Sequence, residues 1–134
     1  MMSTLDAAIR FDVLPALVSE GGFTFDVESA SLVGIGERRG YAIAIPDSER
    51  ILGSEDVTTE DLVSAIADLI MEYADALSTG AMVGGWHSTD RNVYMVEISD
   101  VITCDRTNAI AIGRMRGQES VFDLSNGECV SCRT

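Results

Sequence analysis

The sequence predicts a single α+β domain: helices packed on an antiparallel or mixed sheet of about five strands, in the order α-β-β-α-β-β-α-β. Three observations carry this expectation. The chain has 134 residues, enough for one domain with a sizeable core. Short stretches that alternate apolar and polar residues are interleaved with stretches of helical period. The polar connector "STDRN" joins two of the alternating stretches at hairpin length.

Each element follows in turn. "STLDAAIRFDVLPALVSEGG" opens with Ser3 or Thr4 as a cap and places Leu5, Ile9 and Val13 at helical spacing. Pro15 is expected to break or bend this helix, and Gly21-Gly22 to end it. "FTFDV" alternates Phe23, Phe25 and Val27 against Thr24 and Asp26, the pattern of a half-buried strand. The loop "ESASLVGIGERRG" leads to a strand, "YAIAIP", which Pro46 ends. In "TTEDLVSAIADLIMEYADAL", Thr58 and Asp61 form a capping box, and Leu62, Val63, Ile66, Leu69, Ile70, Tyr73 and Leu77 trace an apolar stripe. Gly80 is the expected stop. Two strands follow, around residues 81–87 and 93–98, and Ser99-Asp100 is expected to interrupt before "VITC". Asp105 caps a short helix over "RTNAIAIGRMRG", and Gly117 ends it. "ESVFDL" is the last predicted strand. Residues 126–134 read as a polar tail of the single 1–134 domain. Gln118 is expected to satisfy backbone groups left open where the last helix meets that strand.

Composition excludes several functions. Acidic residues number 22 and basic residues nine, for a net charge of −13, and every basic residue is arginine. Nucleic-acid backbones and anionic membranes call for clustered cations, so neither is an expected partner. No apolar run reaches the roughly 18 residues of a membrane span. "MMSTLDAAIRFDV" lacks the basic-then-apolar order of a signal peptide, so a cytoplasmic location is expected.

Candidate sites weigh differently. "GIGERRG" is one residue off the dinucleotide fingerprint and precedes a strand instead of opening a helix, so it reads as a loop. Cys129 and Cys132 have a ligand-pair spacing, but only Cys104 and His87 could complete a zinc site. No metal and no cofactor are predicted, and the odd cysteine count does not read as a disulfide framework. His87 is the sole imidazole; Ser88 beside it would face the other side of a strand, so a triad with Asp90 is not expected and no catalytic residue is assigned.

Two surfaces remain as partner-binding candidates, although the first reads more simply as a solvated helix face and the second as mainly architectural, with Trp86 covering the core edge. Residues 47–75 carry nine acids against Arg50 alone, and Asp61, Asp68, Glu72 and Asp75 fall on the polar helix face. Their axial separations of about 4.5 to about 10 Å are on the scale of phosphate spacing along a DNA strand. The second is "GGWHST". Its paired glycines let a backbone or a large ring approach closely, and an exposed Trp86 beside His87 would suit a contact hot spot.

"GGFTFD", "RGYAIAIP", "GGW", "NVYMVEISDVI" and "RGQESVFDL" together resemble small proteins of actinobacterial phages and mobile elements. The closing pattern is matched by Ala109, Gly113, Gln118, Val121, Asp123 and Leu124, and the resemblance spans about residues 3–125. It implies a small cytosolic accessory protein expressed inside a bacterium, and it assigns no activity and no functional residue.

The functional expectation is a non-enzymatic accessory protein that binds a bacterial host protein. In its narrower form it is an acidic inhibitor, a mimic of nucleic acid on a nucleic-acid-binding surface. The alternative is a small enzyme or ligand-binding domain with a pocket near Trp86, His87, Tyr94 and Glu97. The sequence leaves a homodimer open.

Overall fold

The computed structural model describes residues 3–133. Its centre is an eight-stranded antiparallel sheet curled into a half-barrel, and all helices lie on one face. The α+β class is as expected; the strand count is not. The strands are β1 (Gly22–Asp26), β2 (Ser31–Leu32), β3 (Tyr41–Ala44), β4 (Arg50–Gly53), β5 (Met82–Ser88), β6 (Val93–Ile102), β7 (Ser120–Asp123) and β8 (Glu128–Ser131). They run β2-β1-β5-β6-β3-β7-β8 across the sheet, with β4 also paired to β6.

Three strands escape the sequence pattern. Two-residue β2 is too short for periodicity to register. β4 leaves alternate residues half-buried at the sheet margin, without a strong apolar face. β8 lies in the residues read as a polar tail, yet Val130 and Cys132 are 8% and 3% exposed and belong to the core. A further difference concerns β6, which runs unbroken through Ser99 and Asp100. Ser99 pairs with both Met82 and Ala44, so neighbours on both sides hold it extended.

The N-terminal helix passes through Pro15 without ending. Its first part, α1 (Thr4–Ala8), is capped by Ser3 Oγ, which accepts from the Asp6 N–H at 3.0 Å. A π-helical turn (Ile9–Val13) follows, in which the Leu14 N–H reaches the Ile9 carbonyl. α2 (Leu14–Ser19) then carries Pro15 in its first turn, where a missing N–H costs little. α3 (Thr59–Glu72) has the predicted capping box, with both reciprocal bonds between Thr58 and Asp61 formed. It yields at Tyr73 to the short α4 (Ala74–Ser78), so one predicted helix is two. α5 (Arg106–Met115) is capped by Asp105 and ended by Gly117 at φ +72°. The Gln118 backbone N–H bonds the Gly113 carbonyl at 2.8 Å and that of Gly117 the Arg114 carbonyl at 3.0 Å. This is a Schellman closure, so backbone groups perform the task expected of the Gln118 side chain.

Two apolar clusters weld helices to sheet. Ile9, Val13 and Leu17 meet Leu62, Ile66 and Leu69 of α3 over Phe25, Val83, Val96 and Ile98. Ala109 of α5 packs with Tyr41, Ile43, Val121 and Val130. The opposite face of the sheet carries no helix of the described residues. Val33 donates to the Thr24 carbonyl at one margin of the sheet, and Gly36 to the Leu124 carbonyl at the other. The segment 33–36 thus forms a strap from the β1 side of the sheet to the β7 side, where Gly34 and Ile35 border the open face.

Candidate functional site

Strand alternation decides which side chains enter the helix-free face. On β6 these are Met95, Glu97 and Ser99; on β5, Met82, Gly84, Trp86 and Ser88; on β3, Ala42 and Ala44. Small residues line much of it, so a cavity of about 1890 Å³ lies between sheet and strap. Thr24, Gly84 and Glu97 form one row across three strands. A Cβ on Gly84 would meet only the Phe23 carbonyl oxygen, at 3.9 Å. The place beside Glu97 that a side chain would normally fill is therefore open.

The other side of Glu97 is open for a different reason. The Ile45 N–H bonds the Ile98 carbonyl, and Arg50 pairs with Val96. Residues 46–49 therefore bulge out opposite the single residue Glu97, with Asp47 at φ +68°. Ser48, fully buried, closes the gap. Its Oγ accepts from the Ile98 N–H at 3.1 Å and lies 2.8 Å from the Ile45 carbonyl oxygen.

Glu97 is thus a carboxyl held within the sheet between a glycine and a bulge. Its Oε2 is shut off from solvent and meets no hydrogen-bond donor of the described residues. Desolvation, with Glu49 adding like charge, pushes its pKa up to about 8. Glu37, Asp47, Glu49 and Asp90 also line the cavity. Of its arginines, Arg116 is bound to Asp100 and the carbonyls of Ile43 and Ala44, and Arg133 to Glu119. That leaves Arg91 to offset the carboxylates.

The structure divides the four residues of the expected pocket. Trp86, 37% exposed, shares the open face with Glu97, and His87 also borders the cavity. The His87 ring stacks on Tyr94 on the opposite face, with centroids 4.4 Å apart. Ser54 Oγ is 3.1 Å from His87 Nε2, the separation of a nucleophile and its base. Among the described residues no carboxylate orients the ring's other nitrogen, and the bond ties the end of β4 to the β5–β6 hairpin. Ser88 caps the hairpin turn by accepting from the Arg91 N–H.

The glycine pair splits too. Gly85 is architectural: a Cβ there would stand 2.5 Å from the Phe23 ring and 2.9 Å from the Met95 carbonyl oxygen. Gly84 instead opens the cavity. Sequence reasoning weighed the pair as one unit and missed this difference, along with Ser48 and the bulge.

The acidic helix face is partly engaged within the fold. Asp61 is in the capping box and Glu72 bonds Arg50. Asp68 and Asp75 are exposed, with no ion pair among the described residues. The cysteines are dispersed: Cys129 is exposed and lines the cavity, Cys132 is buried in the helix-side core, and Cys104 is at an intermediate depth. The two cysteines of the C-x-x-C thus face opposite sides of the sheet, and burial raises the pKa of all three thiols. Among the described residues no cluster of three or more ligating side chains could hold a metal, and no helix is long and apolar enough to cross a membrane.

Comparison of the chain with protein-family models, with curated proteins and with solved structures finds no match in any of the three.

Proposed function

We propose that this is a non-enzymatic binding protein that takes a segment of a partner protein into the concave face of its sheet. The observation that carries the reading is Glu97, a half-buried carboxyl whose Oε2 is shut off from solvent and meets no donor among the described residues, beside a cavity of about 1890 Å³. Buried polar groups are ordinarily paired, so an unpaired one beside open space suits an occupant that supplies the donor. Small-molecule sites run to about 300–1,000 Å³. The larger volume here suits a stretch of polypeptide. The resemblance to accessory proteins of phages and mobile elements makes a protein of the bacterial host the fitting partner. The mimic of nucleic acid is less well supported, because Asp61 and Glu72 of its four-acid row are used within the fold.

Gly84→Leu tests the reading, because its side chain would project into the cavity beside Glu97 from a position where a Cβ meets only the Phe23 carbonyl oxygen, at 3.9 Å. Capture of host proteins from bacterial lysate, quantified by mass spectrometry, should lose a specific partner with Gly84→Leu and keep it with Asp68→Asn/Asp75→Asn. The reverse result would move the interface to α3 and restore the mimic.

A further inference from the structure

We infer that the occupant presents an arginine side chain to Glu97, with its guanidinium beside the Trp86 ring; this rests on the concave-face reading above and names its chemistry. Three independent features converge. The first is the orphaned Oε2 of Glu97. Glu97 as a whole is only half-buried, so a guanidinium fork entering from the cavity meets its accessible carboxyl edge and reaches Oε2 once the side chain turns toward it. The second is the open position at Gly84, directly across from Glu97, which leaves a slot wide enough for a planar group. The third is Trp86. It opposes Met95, two residues from Glu97 on the same face, so the two Cβ atoms are diagonal neighbours at about 7–8 Å. A cation lying between them meets a carboxylate and an indole face together.

The surrounding charge selects a cation over an anion. Glu49 approaches Glu97 from the bulge, while Thr24 and Gly84 bring no charge from β1 and β5. Cys129 of β8 lines the cavity near enough to feel the Glu97 charge. Arg116 is committed to Asp100 and Arg133 to Glu119, so of the arginines bordering the cavity only Arg91, exposed on the β5–β6 turn, has no ion pair among the described residues. An arginine stabilises the ionised form of Glu97, which the fold alone holds protonated below about pH 8, and offsets Glu49 beside it; an anionic occupant does neither.

The probe is N-acetyl-arginine N-methylamide, which carries one charge and so avoids the general attraction of polycations to an acidic protein. Amide chemical shifts of Gly84 and Gly85 and the Trp86 indole N–H report binding. The arginine probe should give saturable shifts confined to these sites. The isosteric citrulline amide should bind at least about tenfold more weakly, as should the Glu97→Gln variant with arginine, since a charged partner is lost in each. Asp68→Asn/Asp75→Asn should change nothing. Equal binding of citrulline, a lysine amide that binds as tightly, or shifts centred on α3 would each overturn the inference. Its failure is separable from that of the parent reading. If Gly84→Leu abolishes partner capture while Glu97→Gln preserves it, the concave face stands and the arginine falls. If Gly84→Leu leaves capture intact, the concave face itself falls.

Discussion

At the scale of single residues, Glu97 and Ser48 form one device. The bulge that isolates the carboxyl would leave the Ile98 N–H without a ladder partner, and Ser48 supplies it. Ser48→Ala removes this acceptor from a fully buried place, so it should destabilise the fold by about 1–3 kcal/mol in denaturant titrations. Glu97 predicts a pH dependence. Its carboxyl titrates near 4.5 when unfolded and near 8 in the fold, so between those values the native state holds a proton that the unfolded chain has released. The stabilisation is complete below pH 4.5 and falls by about 1.4 kcal/mol per pH unit as pH rises, until the loss is complete above pH 8. Glu97→Gln cannot titrate. Denaturant melts should show it gaining on the parent protein steadily across that window, and parallel curves would refute the assignment. In the sequence, Glu97 was one acid among 22. Its place on the hairpin beside Trp86 and Tyr94 is legible, but its isolation is not, because that comes from Gly84, which is 13 residues away in the chain, and from a bulge about 50 residues away.

At the scale of elements, legibility follows the range of the interactions involved. The Thr58–Asp61 box, the Asp105 cap and the Gly117 stop all depend on residues within five positions of one another, and each is readable from spacing alone. β2, β4 and β8 depend on partners far along the chain. The paired glycines show both cases. A need for close approach was legible, but which glycine meets a ring and which meets open space is set by the register with β1. Gly85→Ala should cost about 1–3 kcal/mol, because its Cβ would overlap the Phe23 ring and crowd the Met95 carbonyl. Gly84→Ala meets no such obstacle and exchanges a flexible residue for one with fewer unfolded conformations, so it should be neutral or stabilising by up to about 1 kcal/mol. Equal thermal shifts for the two variants would show that the register with β1 is not as described.

At the scale of the whole molecule, the half-barrel is completed by its last strand. Residues 126–134 read as a tail because Ser, Asn, Gly, Glu and Arg dominate them, and a strand with one buried face needs only two apolar side chains to break that impression. β8 provides one, Val130, and Cys132 just beyond its end the other, and both sit against α5: a Cβ on Gly113 would stand 2.5 Å from Cys132 Sγ. The Arg114 Nε–H donates to the Cys132 carbonyl at 2.6 Å, and Arg106 bridges Asp123 on β7 to Glu128 on β8. Deleting residues 126–134 would therefore strip β7 of its outer neighbour and expose Val121, which is only 2% accessible. It would also remove Cys129 from the cavity wall. Burying an aliphatic side chain is worth about 1.5–3 kcal/mol, so losing Val130 and Cys132 and uncovering Val121 amounts to several kcal/mol, a large share of the 5–15 kcal/mol that holds a typical domain together. The shortened chain should melt at least about 10 °C lower or fail to fold, as read by circular dichroism. A true tail would leave the melting curve unchanged. Arg133→Ala provides the control, because its ion pair with Glu119 is exposed on both sides and should contribute less than about 1 kcal/mol.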